Sequence, residues 1–251
     1  MSYRSALASV LSGAIASSAE QTSLSARFPR ASVAALSEAG LLGLTVRADL
    51  GGGGLGLNEA AEVVTRVSRL CPATGAVLRS HYAAVAFIEE YGSPWVRRKV
   101  AAGHHLSTLA LADADADGDE GGPRGAGIRA TAIRRAGDVV ALHACKRDVV
   151  AAGEADSYIW SSPPVAGGGA GQTLWLVPAD APGLHVPARP SGAGPRGSGA
   201  AAVYADPVLV PADAMLAQDD GGLDGVLSTV RAWLAALPAA DTEPAMAEAV
   251  G

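Results

Sequence analysis

The spacing of apolar residues changes once along this chain, near Leu106, and that change constrains the fold more than any other feature. Before it, apolar side chains recur at the spacing that is typical of helices packed on a core. After it, apolar stretches are short, and clusters of Asp, Gly and Pro separate them, which is typical of strands joined by turns. We therefore predict an α+β fold with an N-terminal helical domain (1–105), a middle antiparallel β-barrel or sandwich domain (106–218) and one remnant C-terminal helix with its tail (219–251).

The first domain is predicted to consist of consecutive helices. After an apolar pattern through 6–16, they are expected over 29–39, 58–70, 73–91 and 93–101. Pro29 stands at a first-turn position and Gly40 at a helix end. Asn58 is predicted as an N-cap, and the run from Gly51 to Gly54 as a loop.

The second domain is predicted from short β-rich segments. They cover 107–112, 128–134, 139–143, 157–160 and 174–177, with two last strands at 203–205 and 208–210. One helix then follows with a broad apolar stripe. The stripe consists of Leu223, Val226, Leu227, Val230, Trp233, Leu234 and Leu237. A stripe of this width predicts a contact with a second copy of the chain or with a partner chain.

Composition and charge exclude several classes of function. A net charge of −6 and a pI of about 5.3 argue against nucleic-acid binding. No apolar run approaches the roughly 20 residues of a membrane-spanning helix, and no signal peptide is expected. Cys71 and Cys145 are far apart and indicate reduced thiols, so we predict a cytoplasmic protein. No metal site is predicted, because Arg124 replaces the glutamate that should close a calcium loop starting at Asp113.

Two stretches of the chain resemble the acyl-CoA dehydrogenase superfamily. One runs from Leu36 to Val46 and continues into the glycine loop; the other is Pro195–Gly199 followed by Val208–Asp213. The resemblance implies an FAD-dependent oxidoreductase that acts on an acyl thioester or a related substrate. It also implies a third, helical domain that carries the catalytic carboxylate, so the chain is expected to be truncated, to have no assigned catalytic base and to need a partner chain. The segment Arg79–Tyr82 is similar to a subgroup that includes flavin monooxygenases.

The resemblance also indicates where a flavin would lie. Residues 110–119 are similar to the family segment A-L-T-E-P-x-A-G-S-D, and residues 146–156 to K-x-W-I-T-N-G-x-x-A-D. The cofactor-binding positions it implies are Leu111, Ala112, Gly118, Asp148, Val149 and Val150. Four of them have lost the group that contacts the flavin, namely Ala112, Gly118, Asp148 and Val150. Each lost hydrogen bond weakens binding by on the order of 1 kcal/mol, and a carboxylate at position 148 disfavours a reduced, anionic flavin.

His81 is the candidate for a functional polar residue on an apolar helix. By the resemblance, its helix borders a substrate pocket, so Ser80, His81 and Tyr82 are predicted as substrate-binding residues, and His81 as a candidate catalytic residue. The alternative is a histidine whose hydrogen bonds are satisfied within the core. Spacing alone leaves both interpretations open.

Three functions follow from these observations. The first is an acyl-CoA dehydrogenase-like flavoprotein, of dehydrogenase or flavin monooxygenase type, that works with a partner chain. The second is a flavin-free member that acts as a binding or scaffold protein, or that carries out non-redox chemistry in the inherited pocket. The third is a truncated product without a function.

Overall fold

The computed structural model describes residues 2–114, 130–135, 137–165, 172–187, 192–217 and 223–237. Its first part is helical. The helices are α1 (Tyr3–Val10), α2 (Ala16–Ser25), α3 (Arg30–Glu38), α4 (Leu57–Leu70), α5 (Pro72–Tyr91) and α6 (Pro94–Ala101), and a π-helical segment joins α1 to α2 at Leu11–Ile15. The strands are β1 (Ser107–Ala110), β2 (Thr131–Arg134), β3 (Val139–Val149), β4 (Ser157–Ser162), β5 (Thr173–Pro178), β6 (Leu184–His185), β7 (Ala201–Pro211) and β8 (Met215–Ala217), and helix α7 (Leu223–Ala236) follows them.

Local signals set the ends of the helices. Pro72 opens α5, where a missing N–H has no cost, and the Ser93 hydroxyl accepts a hydrogen bond from Val96 N at the start of α6. The prediction that Asn58 is an N-cap is wrong, because α4 already begins at Leu57. The cap interaction comes instead from Glu59, whose carboxylate accepts a hydrogen bond from Gly56 N at 3.0 Å.

The strands form two four-stranded sheets, in the orders β1-β4-β5-β8 and β2-β3-β7-β6. The predicted α+β class is confirmed, and all but one of the strand pairs are antiparallel. β1 pairs in parallel with β4, in register from Ser107 with Ser157. The two strands predicted at 203–205 and 208–210 are one continuous strand, β7, which pairs along β3.

Helix α5 and strand β4 bring the helical and β parts together. Successive residues of a strand face opposite sides. In β4, Tyr158 and Trp160 therefore pack between the two sheets, whereas Ile159 packs against the cluster that includes Phe87 and Ile88 of α5. The interface is thus a continuous apolar core, and it holds the elements around the site in place.

Helix α7 packs on α5 of its own chain. Val230 and Leu237 are buried, and Trp233 and Leu234 are partly buried against the helical core clusters. These four residues of the stripe are therefore covered within the chain itself. The side chains of Leu223, Val226 and Leu227 lie outside what the structure describes. Association through the stripe stays a prediction, as do the bounds of the three domains.

Across the helices that the structure describes, none combines the length and the apolar character needed to cross a membrane.

Candidate functional site

A cavity of about 510 Å³ lies where α5, the β-region and α7 meet. Helix α5 supplies one wall, β1 and the end of β3 supply the second, and the loop before β7 and helix α7 close the rest. The cavity is lined by Ala76, Arg79, Ser80, Leu109, Asp148, Val150, Ala193, Gly194, Pro195 and Leu234. Its size is in the range of sites that take small organic molecules.

This cavity brings together residues that the sequence assigned to different roles. Ser80 was predicted on the substrate side, and Asp148 and Val150 on the cofactor side; all three line the same space. Val149 does not, because its side chain is buried between the two sheets. His81 and Tyr82 do not line it either.

Ser80 and Thr108 form a closed chain of hydrogen bonds beside the cavity. The Thr108 hydroxyl donates to Val150 O at 2.7 Å, so its own oxygen accepts from the Ser80 hydroxyl at 2.7 Å. Ser80 in turn accepts from Leu109 N at 3.2 Å. Both hydroxyl protons are thereby engaged, and this chain fixes α5 against the turn at Val150.

His81 is fully buried and bonded on both ring nitrogens. Ser107 N donates to Nδ1 at 3.2 Å, so Nδ1 must be unprotonated, and the proton lies on Nε2, which donates to Leu42 O at 3.0 Å. Burial lowers the pKa of His81 from 6.5 to about 4, and its bonds to Leu42 and Ser107 offset only part of that shift. The ring is therefore neutral at pH 7 and braces the 41–46 segment against β1.

Tyr82 is also part of the core. Its hydroxyl donates to Leu41 O at 2.7 Å, and burial raises the pKa of the phenol far above its ordinary value. The predicted substrate-binding role of His81 and Tyr82 finds no support in their position, since both are completely enclosed by protein.

Asp148 lies at a backbone irregularity near the end of β3. The register of β3 with β7 shifts between Lys146 and Val149, and Asp148 takes a positive φ of 54°, which Asp and Asn tolerate better than most residues. Its Oδ1 accepts a hydrogen bond from Ala193 N at 2.7 Å, and its Oδ2 lies 3.3 Å from Arg147 Nη1. The short bond from the loop thus holds the carboxylate at the cavity, whereas the contact with the exposed Arg147 is long.

Arg79 is a cavity residue to which the sequence analysis assigned no role. Its Nε donates to Leu237 O at 3.1 Å and its Nη2 to Leu234 O at 2.7 Å, so it caps the C-terminal end of α7. Burial lowers the pKa of its guanidinium. The available signal was one basic residue in the central part of α5, which carries no other charged side chain. Its two acceptors lie more than 150 positions away in the sequence.

The remaining predicted cofactor positions lie along the segment that follows β1. Leu111 packs beside α5, Ala112 is exposed, and Ala112 O accepts a hydrogen bond from Arg147 N. Gly118 lies outside the described residues, as does most of the acidic loop that starts at Asp113.

Lys146 anchors the segment that follows β1 through a bond to Asp113. Its fully buried ammonium donates to Asp113 Oδ1 at 2.6 Å and to Ser161 Oγ at 2.8 Å, and it lies 5.3 Å from the centre of the Trp160 ring. Burial lowers the pKa of Lys146, and the Asp113 carboxylate opposes that shift. This lysine has a structural role, because its ammonium group donates its hydrogen bonds to protein groups.

The side chains at the described cofactor positions, which are Ala112, Asp148, Val149 and Val150, do not fit a flavin. Ala112 presents only a methyl group, Val150 presents an apolar side chain, and Val149 faces the sandwich interior. Asp148 would set a fixed negative charge against a ring that becomes anionic when it is reduced. None of these side chains can donate a hydrogen bond to the polar edge of the ring.

Comparison with a family model and with curated proteins finds similarity to acyl-CoA dehydrogenases in both cases. Residues 2–104 match the model "Acyl-CoA dehydrogenase, N-terminal domain". The short-chain specific acyl-CoA dehydrogenase of Homo sapiens mitochondria is 28% identical over 210 residues, which are 81% of this chain and 49% of that protein. The bovine counterpart is 26% identical over 211 residues. The chain therefore spans about half the length of the curated relatives it matches.

Solved structures share the fold over nearly the whole chain. KijD3, solved with FMN and an amino-keto sugar nucleotide, has a TM-score of 0.76 at 21% identity, covering 94% of this chain and 60% of that one. FMN-bound TdsC from Paenibacillus sp. A11-2 has a TM-score of 0.75 at 17% identity, covering 92% and 60%. FkbI, which serves biosynthesis of a methoxymalonyl extender unit, has a TM-score of 0.73 at 25% identity, covering 91% and 62%.

Proposed function

Since this chain belongs to the acyl-CoA dehydrogenase superfamily, we propose that the cavity between α5, the β-region and α7 is its ligand site. This interface cavity binds a small organic ligand, and it does so without a flavin. The single observation that carries this proposal is the Asp148 carboxylate in the wall of the cavity. The family segment that residues 146–156 resemble has an aromatic residue at this position.

The position of Asp148 is fixed rather than adjustable. The hydrogen bond from Ala193 N holds Oδ1, and the left-handed backbone conformation restricts where the side chain can turn. A charge held in this way beside a reduced flavin costs energy, because two like charges about 4 Å apart repel by roughly 4 kcal/mol at an effective dielectric constant of about 20. Ligands without a negative charge at that edge avoid this cost.

The other walls suit a compact apolar body. Aliphatic surface comes from five different parts of the chain, through Ala76, Leu109, Val150, Pro195 and Leu234. The hydrogen bonds of Ser80 and Thr108 keep α5 and β1 in fixed positions, so the shape of the cavity is largely set before a ligand arrives.

The visible absorption spectrum of the purified protein tests the proposal. We expect no flavin band, either as purified or after FMN or FAD has been added and the sample dialysed. The same measurement on Asp148→Asn shows whether the charge is the cause, and Asp138→Asn is the matched control, because Asp138 is an exposed carboxylate on the β2–β3 turn. A flavin band retained by the unmodified protein after dialysis would contradict the proposal.

A second candidate is a flavin-dependent oxidoreductase, of dehydrogenase or flavin monooxygenase type, that acts on an acyl thioester or a related substrate. What favours it is the FMN named with KijD3 and TdsC, whose folds match more than nine-tenths of this chain. In that case main-chain groups would have to hold the flavin, and the catalytic base would come from residues beyond this chain, such as those of a partner chain. A flavin band that appears only when a protein supplying the other half of the family fold is added would support this candidate.

A further inference from the structure

Arg79 has more hydrogen-bonding capacity than its protein neighbours use. A guanidinium has five N–H donors, and the two backbone carbonyls at the end of α7 engage two of them. Among the described residues, no carboxylate forms an ion pair with Arg79, although the side chain is partly buried. A partly buried cation without an anionic partner favours a ligand that brings one.

Asp148, in the same cavity, has hydrogen-bond acceptor sites that its protein neighbours do not use. An ionised carboxylate has about four acceptor sites. Ala193 N occupies one at 2.7 Å, and the contact with Arg147 is long, at 3.3 Å, with its guanidinium largely exposed. Exposed ion pairs of this kind contribute little, so the carboxylate retains capacity for a donor inside the cavity.

Ser80, the other polar side chain in the lining, is not free in this way, and neither is Thr108 beside it. Both the Ser80 and the Thr108 hydroxyl protons already donate within the protein. Recognition of a polar ligand therefore depends on one cation and one anion, set in a cavity with an aliphatic lining.

From these contacts we infer that the ligand is a zwitterion with an apolar body: a carboxylate for Arg79, a protonated amine for Asp148 and a hydrocarbon part against the aliphatic wall. This inference rests on the proposed flavin-free binding function and names its ligand class. Charge-assisted hydrogen bonds at both ends are about twice as strong as neutral ones, so a ligand with both groups binds more tightly than one with either group alone.

Four small molecules that share a phenyl group test the inference. They are phenylalanine, with both charges; 2-phenylethylamine, with the amine only; 3-phenylpropanoate, with the carboxylate only; and 3-phenylpropanol, with neither. Calorimetric titration of the full chain at neutral pH should rank phenylalanine first, with a dissociation constant about tenfold or more below that of either singly charged molecule.

Asp148→Asn separates recognition of the amine from general effects. The asparagine Oδ1 still accepts from Ala193 N, so the loop keeps its bond while the charge is lost. We expect the preference of this variant for phenylalanine over 3-phenylpropanoate to fall by about tenfold, with 3-phenylpropanoate affinity unchanged or improved. Asp138→Asn removes the same charge far along the sheet and should keep the wild-type ranking.

The outcomes distinguish this inference from the function on which it rests. Binding of all four molecules with equal affinity, or an unchanged preference in Asp148→Asn, overturns the zwitterion assignment and leaves a flavin-free binding site in place. No binding of any of the four also overturns it. Retention of FMN by the unmodified protein overturns the proposed function itself.

Discussion

Four consecutive residues of α5 divide into two pairs that do different work. Arg79 and Ser80 line the interface cavity, whereas His81 and Tyr82 are enclosed in the core between α5 and the 41–46 segment. All four are polar, and the sequence treated three of them alike. What separates them is hydrogen-bond saturation: both core residues use their donors on backbone carbonyls, and Arg79 keeps donors that the described residues do not use.

A polar residue that is buried on a helix beside a cavity is therefore not by itself a sign of function. A histidine with two backbone partners stabilises the fold, and its neutral ring has no free nitrogen for a ligand. A charged group at a cavity with a spare donor or acceptor is the better candidate for binding.

The largest effect is expected from His81→Ala. Removing the ring leaves Leu42 O and Ser107 N without their partner in a fully buried region, and it opens a void. We expect the free energy of unfolding to fall by about 4 kcal/mol in urea titration, with the ligand ranking of the cavity unchanged in the folded fraction. A loss below about 1 kcal/mol would show that His81 is not a core residue.

The next effect is a pH dependence that His81 imposes on stability. Its pKa is about 4 when folded and about 6.5 when unfolded, so between these values the unfolded state binds more protons. Stability is therefore fully present above about pH 6.5 and declines as the pH falls towards about 4, by roughly 3 kcal/mol in total.

His81→Gln provides the reference for this titration, because carboxylates also titrate at the acidic end. The gap in unfolding free energy between wild type and His81→Gln should narrow as the pH falls from about 7 to about 4.5. A gap that stays constant over that range would mean that the ring is not held neutral.

A smaller, local effect is expected from Arg79→Met. The change removes two hydrogen bonds to the last turn of α7 and keeps most of the aliphatic stem. Amide hydrogen exchange in α7 should accelerate by an amount that corresponds to about 1–2 kcal/mol, while α4 keeps its protection. Arg231→Met, on the exposed face of α7, is the control and should leave the exchange of this helix unchanged.

The smallest effect on stability is expected from Asp148→Asn. Asparagine tolerates the positive φ and keeps the bond from Ala193 N, so the free energy of unfolding should change by less than about 0.5 kcal/mol. Asp148→Ala loses both and should cost about 1–2 kcal/mol by thermal melting. Equal losses in the two variants would show that the charge of Asp148, rather than its acceptor oxygen, holds the loop.

The sequence was sufficient for the fold class because its signals are local. Pro72, Ser93 and the change of spacing near Leu106 act within a few residues, and the structure places element ends close to them. The parallel pairing of β1 with β4 was missed because it joins segments about 50 residues apart, and periodicity carries no information on strand direction.

The site was predicted only in part, for the same reason. Ser80, Asp148 and Val150 could be placed by resemblance, and they do line one cavity. The saturation of His81 depends on Leu42 and Ser107, and the role of Arg79 depends on where α7 ends; both are set by tertiary packing. A family motif indicates which positions lie around the same cavity. The hydrogen bonds within the protein determine which of these side chains can still bind a ligand.

The most direct test of the cavity as the ligand site is an amide chemical-shift titration of isotope-labelled protein with phenylalanine. We predict that the shifted amides cluster at Ser80, Leu109, Val150 and Ala193, around the cavity. Residues of a separate cavity, which lies between α1 and Gly40, should not respond. Two results would contradict the assignment of the interface cavity as a flavin-free ligand site. One is that phenylalanine shifts the amides of that separate cavity instead. The other is that FMN shifts the amides around the interface cavity and phenylalanine does not.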